Sequence, residues 1–328
     1  MGLRNGWKWD GTKQRLELQI AGTTVEYFDS APGRTYYVNN ITGDDGNDGL
    51  SWGTPFAQIN AAIIASEADR KAKWYSGDDL LAARYQTIRN RIIVAGTGTY
   101  YTKIDYATNL CDPHHCDIIG IGDNTEANGD GQVQVGSSTT NTVALHTATN
   151  TGTGEPGMFG TRWYNIKFLG GGASNYAVEL GKTRGAGFYD CNFTVNSSSL
   201  GCFLADEMFA GSTINHCTFS NNAGGTVPVM CLYISGSGVH TDNRIEDCIF
   251  YSASTAHVTF EGGLSWGTIF KDNCFIGVAA NSIVDTSTYG AFYAHNFFTA
   301  ATTYEISSTV TTMYAGNWVA NGLTQVNT

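Results

Sequence analysis

Seven short segments of one pattern recur down the second half of the chain: YNIKF, YDCNF, NHCTF, EDCIF, DNCF, HNFF and GNWV. Aligned on their last apolar residue, they anchor at Phe168, Phe193, Phe219, Phe250, Phe275, Phe298 and Val319, in steps of 25, 26, 31, 25, 23 and 21 residues. Five residues before each anchor stand Trp163, Phe188, Ile214, Ile245, Phe270, Tyr293 and Tyr314; two before stand Ile166, Cys191, Cys217, Cys248, Asn273, Asn296 and Asn317. A unit this short cannot hide its apolar side alone and must stack on the next. Val143 and Ile118, 25 and 50 residues before Phe168, are expected to extend the period upstream.

Strand side chains alternate with period two, so offsets of zero and two point one way and an offset of five points the other. The chain must therefore turn a corner between them. Each period also carries a second apolar stretch, such as AVEL (177–180), CFLA (202–205), CLYI (231–234) and VTF (258–260). Strands of one phase, with one corner per turn, predict an all-β chain wound as a right-handed parallel β-helix, coils about 4.8 Å apart. Sandwiches and propellers turn back through hairpins and do not need the same column chemistry at the same phase.

The first part of the chain differs. Residues 1–34 read as a small hairpin arm: Trp7 to Trp9, the Asp10-Gly11 turn, the alternating run Arg15–Ile20, then Val25–Phe28. Trp7, Trp9, Leu16, Leu18, Tyr27 and Phe28 are its candidate anchoring residues. Residues 35–328 form the coil domain, with a helical cap over about 35–90: a strand at Tyr36–Val38, a helix from Pro55 through Ile59, Ala62 and Ile63, and a second helical stretch from Asp78 to Asn90.

Composition narrows function. Eighteen Lys and Arg against 29 Asp and Glu give a net charge of −11, which lacks the basic footprint of a nucleic-acid binder. No apolar run approaches a membrane span, and MGLRNGWKWDG has no signal-peptide core, so the mature chain is expected to begin there. Forty glycines and only 14% charged residues fit strands and turns.

With GDDGNDGLSWGTPFAQINAAI at its start and the coils after it, the stretch from about 36 to 328 resembles the right-handed β-helix proteins of the pectate-lyase-like superfamily. The arm NGWKWDGTKQRLELQIAGTTVEYFD resembles N-terminal modules of tailed-phage structural proteins. These resemblances imply a structural virion surface protein of a tailed bacteriophage: a capsid decoration, fibre or spike, homotrimeric, attached through its arm to other virion proteins and assembled in the bacterial cytoplasm. They also imply two alternatives, a polysaccharide lyase or glycoside hydrolase acting on a surface polysaccharide, and a glycan-binding adhesin without turnover. No cofactor, metal, membrane or nucleic acid is expected.

Cys191, Cys217 and Cys248 fall in one inward column, stacked beyond disulfide reach, and read as reduced buried thiols continued by an Asn273, Asn296 and Asn317 amide ladder. Cys111 and Cys116 flank His114 and His115 without a zinc spacing, and read as a polar loop. Asp44, Asp45, Asn47 and Asp48 miss the calcium-loop template and read as a turn into the cap helix. Three residues before the anchors stand Asn165, Asp190, His216, Asp247, Asp272, His295 and Gly316. Asp190, His216, Asp247, Asp272 and His295 are candidate acid–base residues, because stacked carboxylates such as Asp247 and Asp272 would raise one another's pKa; the same residue types also suit any turn. Glu179, Asp206, Glu261 and Asp285 follow the second strands and could line another face, at separations glycoside hydrolysis accepts. Tyr189, Tyr233 and Trp266 could stack on sugars.

Overall fold

The computed structural model describes residues 6–10, 15–20, 23–28, 33–74, 89–105, 112–122, 132–136, 143–147, 157–170, 176–195, 200–221, 229–235, 238–251, 253–261, 266–277, 279–299, 301–308 and 313–319. From residue 35 onward the described strands fall into three parallel sheets of ten, eight and nine strands, visited in that order on each coil from Cys116 to Ser308. One coil runs Gly187–Tyr189 in the first sheet, Asn192–Val195 in the second and Gly201–Ala210 in the third. Each strand pairs in parallel with its counterpart one coil later, for example Phe188 with Ile214, Phe193 with Phe219 and Phe203 with Leu232. The fold is an all-β parallel β-helix.

Register places every anchor over the next, and the rings follow. Phe168, Phe193, Phe219, Phe250, Phe275 and Phe298 form one column, with successive centroids 5.6, 4.9, 4.5, 4.9 and 4.8 Å apart. All six are fully buried. Burying such a ring contributes about 1.5–3 kcal/mol, so this column is a principal source of cohesion between coils.

Beside it runs a polar ladder. Cys191, Cys217 and Cys248 are free thiols, and their Sγ atoms donate to the carbonyls of Trp163, Phe188 and Ile214 at 3.5–3.6 Å. Nδ2 of Asn273, Asn296 and Asn317 does the same for Ile245, Phe270 and Tyr293 at 2.9–3.0 Å. All six groups serve the carbonyl of the residue five before the anchor, one coil earlier, because the corner takes that carbonyl out of the strand ladder. Burial pushes the Cys217 thiol well up, so it keeps its proton and remains a donor.

Two corners per coil have left-handed backbone. The first, between the first and second sheets, is the column three before the anchor, with φ of 53° to 61° from Asn165 to Gly316. The second, between the third and first sheets, lies eight before the anchor: Gly160, Gly185, Gly211, Asp242, Gly267 and Gly290, with φ of 57° to 71°. A Cβ there crowds its own carbonyl, which is why glycine fills the second column and Asn, Asp and His, the side chains that best tolerate this region, fill the first.

Between the second and third sheets, Cys202 and Cys231 donate to the carbonyls of Ser220 and Tyr251 at 3.4 and 2.9 Å, and His257 Nε2 faces the Ile276 carbonyl at 3.3 Å. Burial pushes the His257 pKa down to about 4, so the ring is neutral in the fold. The unfolded chain, titrating near 6.5, binds a proton that the folded ring refuses until about pH 4. This contribution is intact above pH 6.5, is lost as pH falls towards 4, and amounts to about 3 kcal/mol. His257→Asn should flatten the fall in urea-unfolding stability between pH 6.5 and 4; superimposable profiles would refute the assignment.

The N-terminal region corrects several expectations. The helix spans Ile59–Trp74, starting after Pro55 and Phe56, because Asp45 Oδ1 accepts the amides of Ala57 and Gln58 at 2.9 Å and caps it from outside. Asp44 and Asp48 likewise serve turn amides, at Gly46 and Leu50. Residues 75–88, most of the expected second helix, lie outside the described residues, and Asn90 opens a strand, Asn90–Ala95. Ile118 pairs with Trp163, and the partner of Phe168 is Val135; upstream coils depart from the 25-residue step, which misplaced Val143 and Ile118. His114 and Cys116 do not form a polar loop: Cys116 begins the strand Cys116–Ile121 in the core, and His114 bonds Glu67 of the helix. Burial alone would push the Glu67 carboxyl up, but His114 and Arg70 outweigh it and hold it below the usual range. Cys111 lies outside the described residues.

Gly6–Asp10, Arg15–Ile20 and Thr23–Phe28 form a separate antiparallel sheet with Trp7 opposite Leu18, Trp9 opposite Leu16, Leu16 opposite Phe28 and Tyr27 opposite Glu17. The side chains of these six anchoring candidates lie outside the described part.

Candidate functional site

The first-corner column points outward. His216 Nδ1 stands 3.5 Å from Asp190, and His295 Nδ1 3.5 Å from Asp272. Asp247 is followed one coil later by Asp272; Asp247 Oδ2 accepts from Asn215 Nδ2 at 3.3 Å, and Asp272 is held by Lys271 Nζ at 2.8 Å. That bond to Asp272 also raises the exposed Lys271 ammonium's pKa. The structure thus brings the five candidates together as two His–Asp pairs and one separate aspartate, on an open ridge.

The third sheet gathers more chemistry. Its outward positions on neighbouring strands pair Asp105 with His146 and His146 with Glu179. Asp105 Oδ1 meets His146 Nδ1 at 2.8 Å, orienting the imidazole. Two coils on, Tyr233 Oη donates to Glu261 Oε2 at 2.6 Å, and Ser235 Oγ to Asp206 Oδ1 at 3.4 Å. Burial raises the Tyr233 phenol's pKa, and the bond to Glu261 raises it further.

Asp206 sits on a bulge. Pairing of Tyr176–Arg184 with Gly201–Ala210 slips between Leu180 and Lys182, so Asp206 and Glu207 together face one residue, with Glu207 at φ 35°. Bulges of this kind re-aim side chains, and a non-glycine residue in that region stores strain. The space is reserved: a Cβ on Gly238 would meet the Glu207 carbonyl oxygen, so only glycine fits beneath the bulge.

Tyr176 completes the group. Its ring lies over Gly201, where a Cβ would come 2.6 Å from Cε1. The residue is 5% exposed. Burial pushes the phenol's pKa up, and Tyr233, Glu179, Glu261 and Asp206 add to it in that order.

Asp285, the fourth residue expected on this face, is not there. It pairs with Phe260 on the inward column and is fully buried, accepting from Ser287 and Ala291 amides and from Tyr293 Oη at 2.9 Å. Tyr189 stacks on Tyr164 at 5.0 Å on the first sheet, and Trp266 is 63% exposed. Asp105 and His146 were not found from sequence, because their coils depart from the 25-residue step, and Tyr176 stands just before the apolar stretch 177–180. Among the described residues no group of three or more His, Cys, Asp or Glu is arranged to hold a metal ion. A groove of about 660 Å³ between the helix and the turn at 45–50 is lined by Asp45, Asp69 and Arg34, but Asp45 caps the helix and Asp69 pairs with Arg34 at 2.9 Å.

No protein-family model matches the chain, and no curated protein matches its sequence. Solved structures with a similar fold include an alginate lyase from Paenibacillus sp. str. FPU-7 (9% identity, 71% of this chain and 89% of that one, TM-score 0.37). They also include PfbA, a surface adhesin of Streptococcus pneumoniae (11%, 83% and 78%, TM-score 0.39), and the pectate lyase Pel9A (11%, 91% and 83%, TM-score 0.39).

Proposed function

We propose that the outer face of the third sheet is a saccharide site and that the protein acts on a glycosidic linkage by acid–base chemistry. The observation that carries this reading is the set of half-buried carboxylates Glu179, Asp206 and Glu261 on one sheet face, with Asp206 placed by a bulge. Glu179 pairs with Leu204, two residues before Asp206, whereas Asp206 and Glu261 stand in one row two strands apart, about 9–10 Å. That is close to the wider separation of glycoside hydrolysis, which leaves room for water. In this reading Asp206 gives its proton to the leaving oxygen while Glu261, positioned by Tyr233, takes one from the attacking water. The oriented His146 flanks the site one strand from Glu179.

Asp206→Asn and Glu261→Gln should each lower turnover on a cleaved oligosaccharide about 10²- to 10⁴-fold without changing the melting profile. A broad glycan panel screened by reducing-end release and by binding checks this. Absence of both binding and cleavage, or equal activity in the variants, would refute the reading.

A second reading favours the virion surface, and one observation speaks for it: residues 6–28 form an antiparallel sheet separate from the three parallel ones. Such a unit would tether a homotrimeric coil to capsid or tail proteins. Removing residues 1–34 should leave the coil's melting profile intact and abolish incorporation into particles; retained incorporation would count against the arm.

A further inference from the structure

We infer that the coil from Met230 to Phe260 is an acid-triggered joint, which opens when His240 and His257 take up protons while the coils on either side stay wound; this does not rest on the saccharide reading. Of the seven histidines only these two are fully buried, and both lie on this one coil. Neither ring nitrogen of His240 has a hydrogen-bond partner, nor has Nδ1 of His257. His240 packs against the Phe260 ring at 6.4 Å and His257 against Phe275 at 5.8 Å. A neutral imidazole suits such neighbours. A second N–H and a full charge do not, since only His257 Nε2 has an acceptor in place, the Ile276 carbonyl. The titratable neighbours leave this unchanged. Asp206 and the Ser235 backbone favour a charged His240, but burial outweighs both and holds its pKa down. Asp285, stacked on Phe260, is engaged by Ser287, Ala291 and Tyr293. His257 lies between Cys231 and Ser282 in its column, and burial keeps the Cys231 thiol protonated.

The same coil is also held less tightly than its neighbours. The step from Phe219 to Phe250 is 31 residues, longer than any other between anchors. Its third-sheet ladder to the preceding coil stops at Ala205 and Ile234 and returns only as the single bridge between Met208 and Val239. In the gap sit Asp206 and Glu207, the latter at φ 35°. Fewer ladder bonds and stored strain make local opening cheaper here than in the coils around it. Each neutral buried ring binds a proton on opening, so the opened fraction rises about tenfold per pH unit and per histidine between pH 6.5 and the folded value, about 4 for His257. Tyr233 and Ser235 ride on this coil and Glu261 follows it, so opening takes that part of the third-sheet face apart.

Amide hydrogen exchange at pH 7, 6 and 5, corrected for the intrinsic pH dependence of exchange and read by mass spectrometry, tests this. From pH 7 to 5, protection within 229–235, 238–251 and 253–261 should fall about tenfold or more, and further than in 162–170, 187–195 and 292–298. In His240→Phe/His257→Cys, which takes the residues these columns hold at Phe209 and at Cys202 and Cys231, the ratio of protection at pH 7 to that at pH 5 should fall towards one. Reading each protein as its own ratio removes any shift the substitutions make at neutral pH. The single variants should give intermediate ratios, and they decide the matter if the double variant does not fold. An equal loss along the whole chain, no loss on this coil, or an unchanged ratio in the variants would overturn the joint.

Discussion

Asn296→Ala should cost about 3–5 kcal/mol and melt the C-terminal coils first. Asn296 is fully buried, and its side chain makes four hydrogen bonds. Oδ1 accepts the Asn273 amide at 3.1 Å and Asn273 Nδ2 at 3.0 Å; Nδ2 donates to the Phe270 carbonyl and to Asn317 Oδ1, both at 3.0 Å. Alanine strands a buried donor or acceptor at every one of those positions, and water has no path to replace it. Asn296→Cys should be milder, since the same column uses thiols at Cys191, Cys217 and Cys248 to serve the equivalent carbonyl. Asn296→Asp should be worst, because it loses the donor and buries a charge. Urea-unfolding midpoints give the order; a loss below about 1 kcal/mol for Asn296→Ala would refute the ladder's role.

Phe219→Ala should cost a similar 3–5 kcal/mol by a different route. Phe219 lies between Phe193, 4.9 Å away, and Phe250, 4.5 Å away, and its ring also meets Phe203 at 6.5 Å. Deleting it opens a void in the middle of a continuous column, where each wall is the sheet of a coil and cannot collapse inward. A double-mutant cycle with Phe250→Ala should return a coupling of about 0.5–1.5 kcal/mol, the part due to direct stacking. Strict additivity would mean that the rings do not stack.

These two predictions were open to sequence reading because both columns keep their offset from the anchor in every coil after residue 160. The left-handed corner was visible too, though not as a corner: Asn165, Asp190, His216, Asp247, Asp272 and His295 resemble an array of acid–base residues, and their shared φ near 54° is the simpler reason for their type. A column of glycines eight before the anchor carried the second corner in plain sight, broken only by Asp242. Asp285 was misread by one residue of register, which in a strand moves a side chain from solvent to core. The site proved hardest. Asp206 reaches its place through a bulge, Tyr176 through a ring laid over Gly201, and His146 through a coil whose length departs from the repeat. None of these leaves a periodic trace.

The outward face of the third sheet is proposed as the saccharide site. A crystal structure of Asp206→Asn soaked with an oligosaccharide that binds in the glycan panel tests it most directly. Sugar density is expected across Glu179, Tyr233 and Glu261. Density confined to the ridge at Asp190, His216, Asp272 and His295 would contradict it.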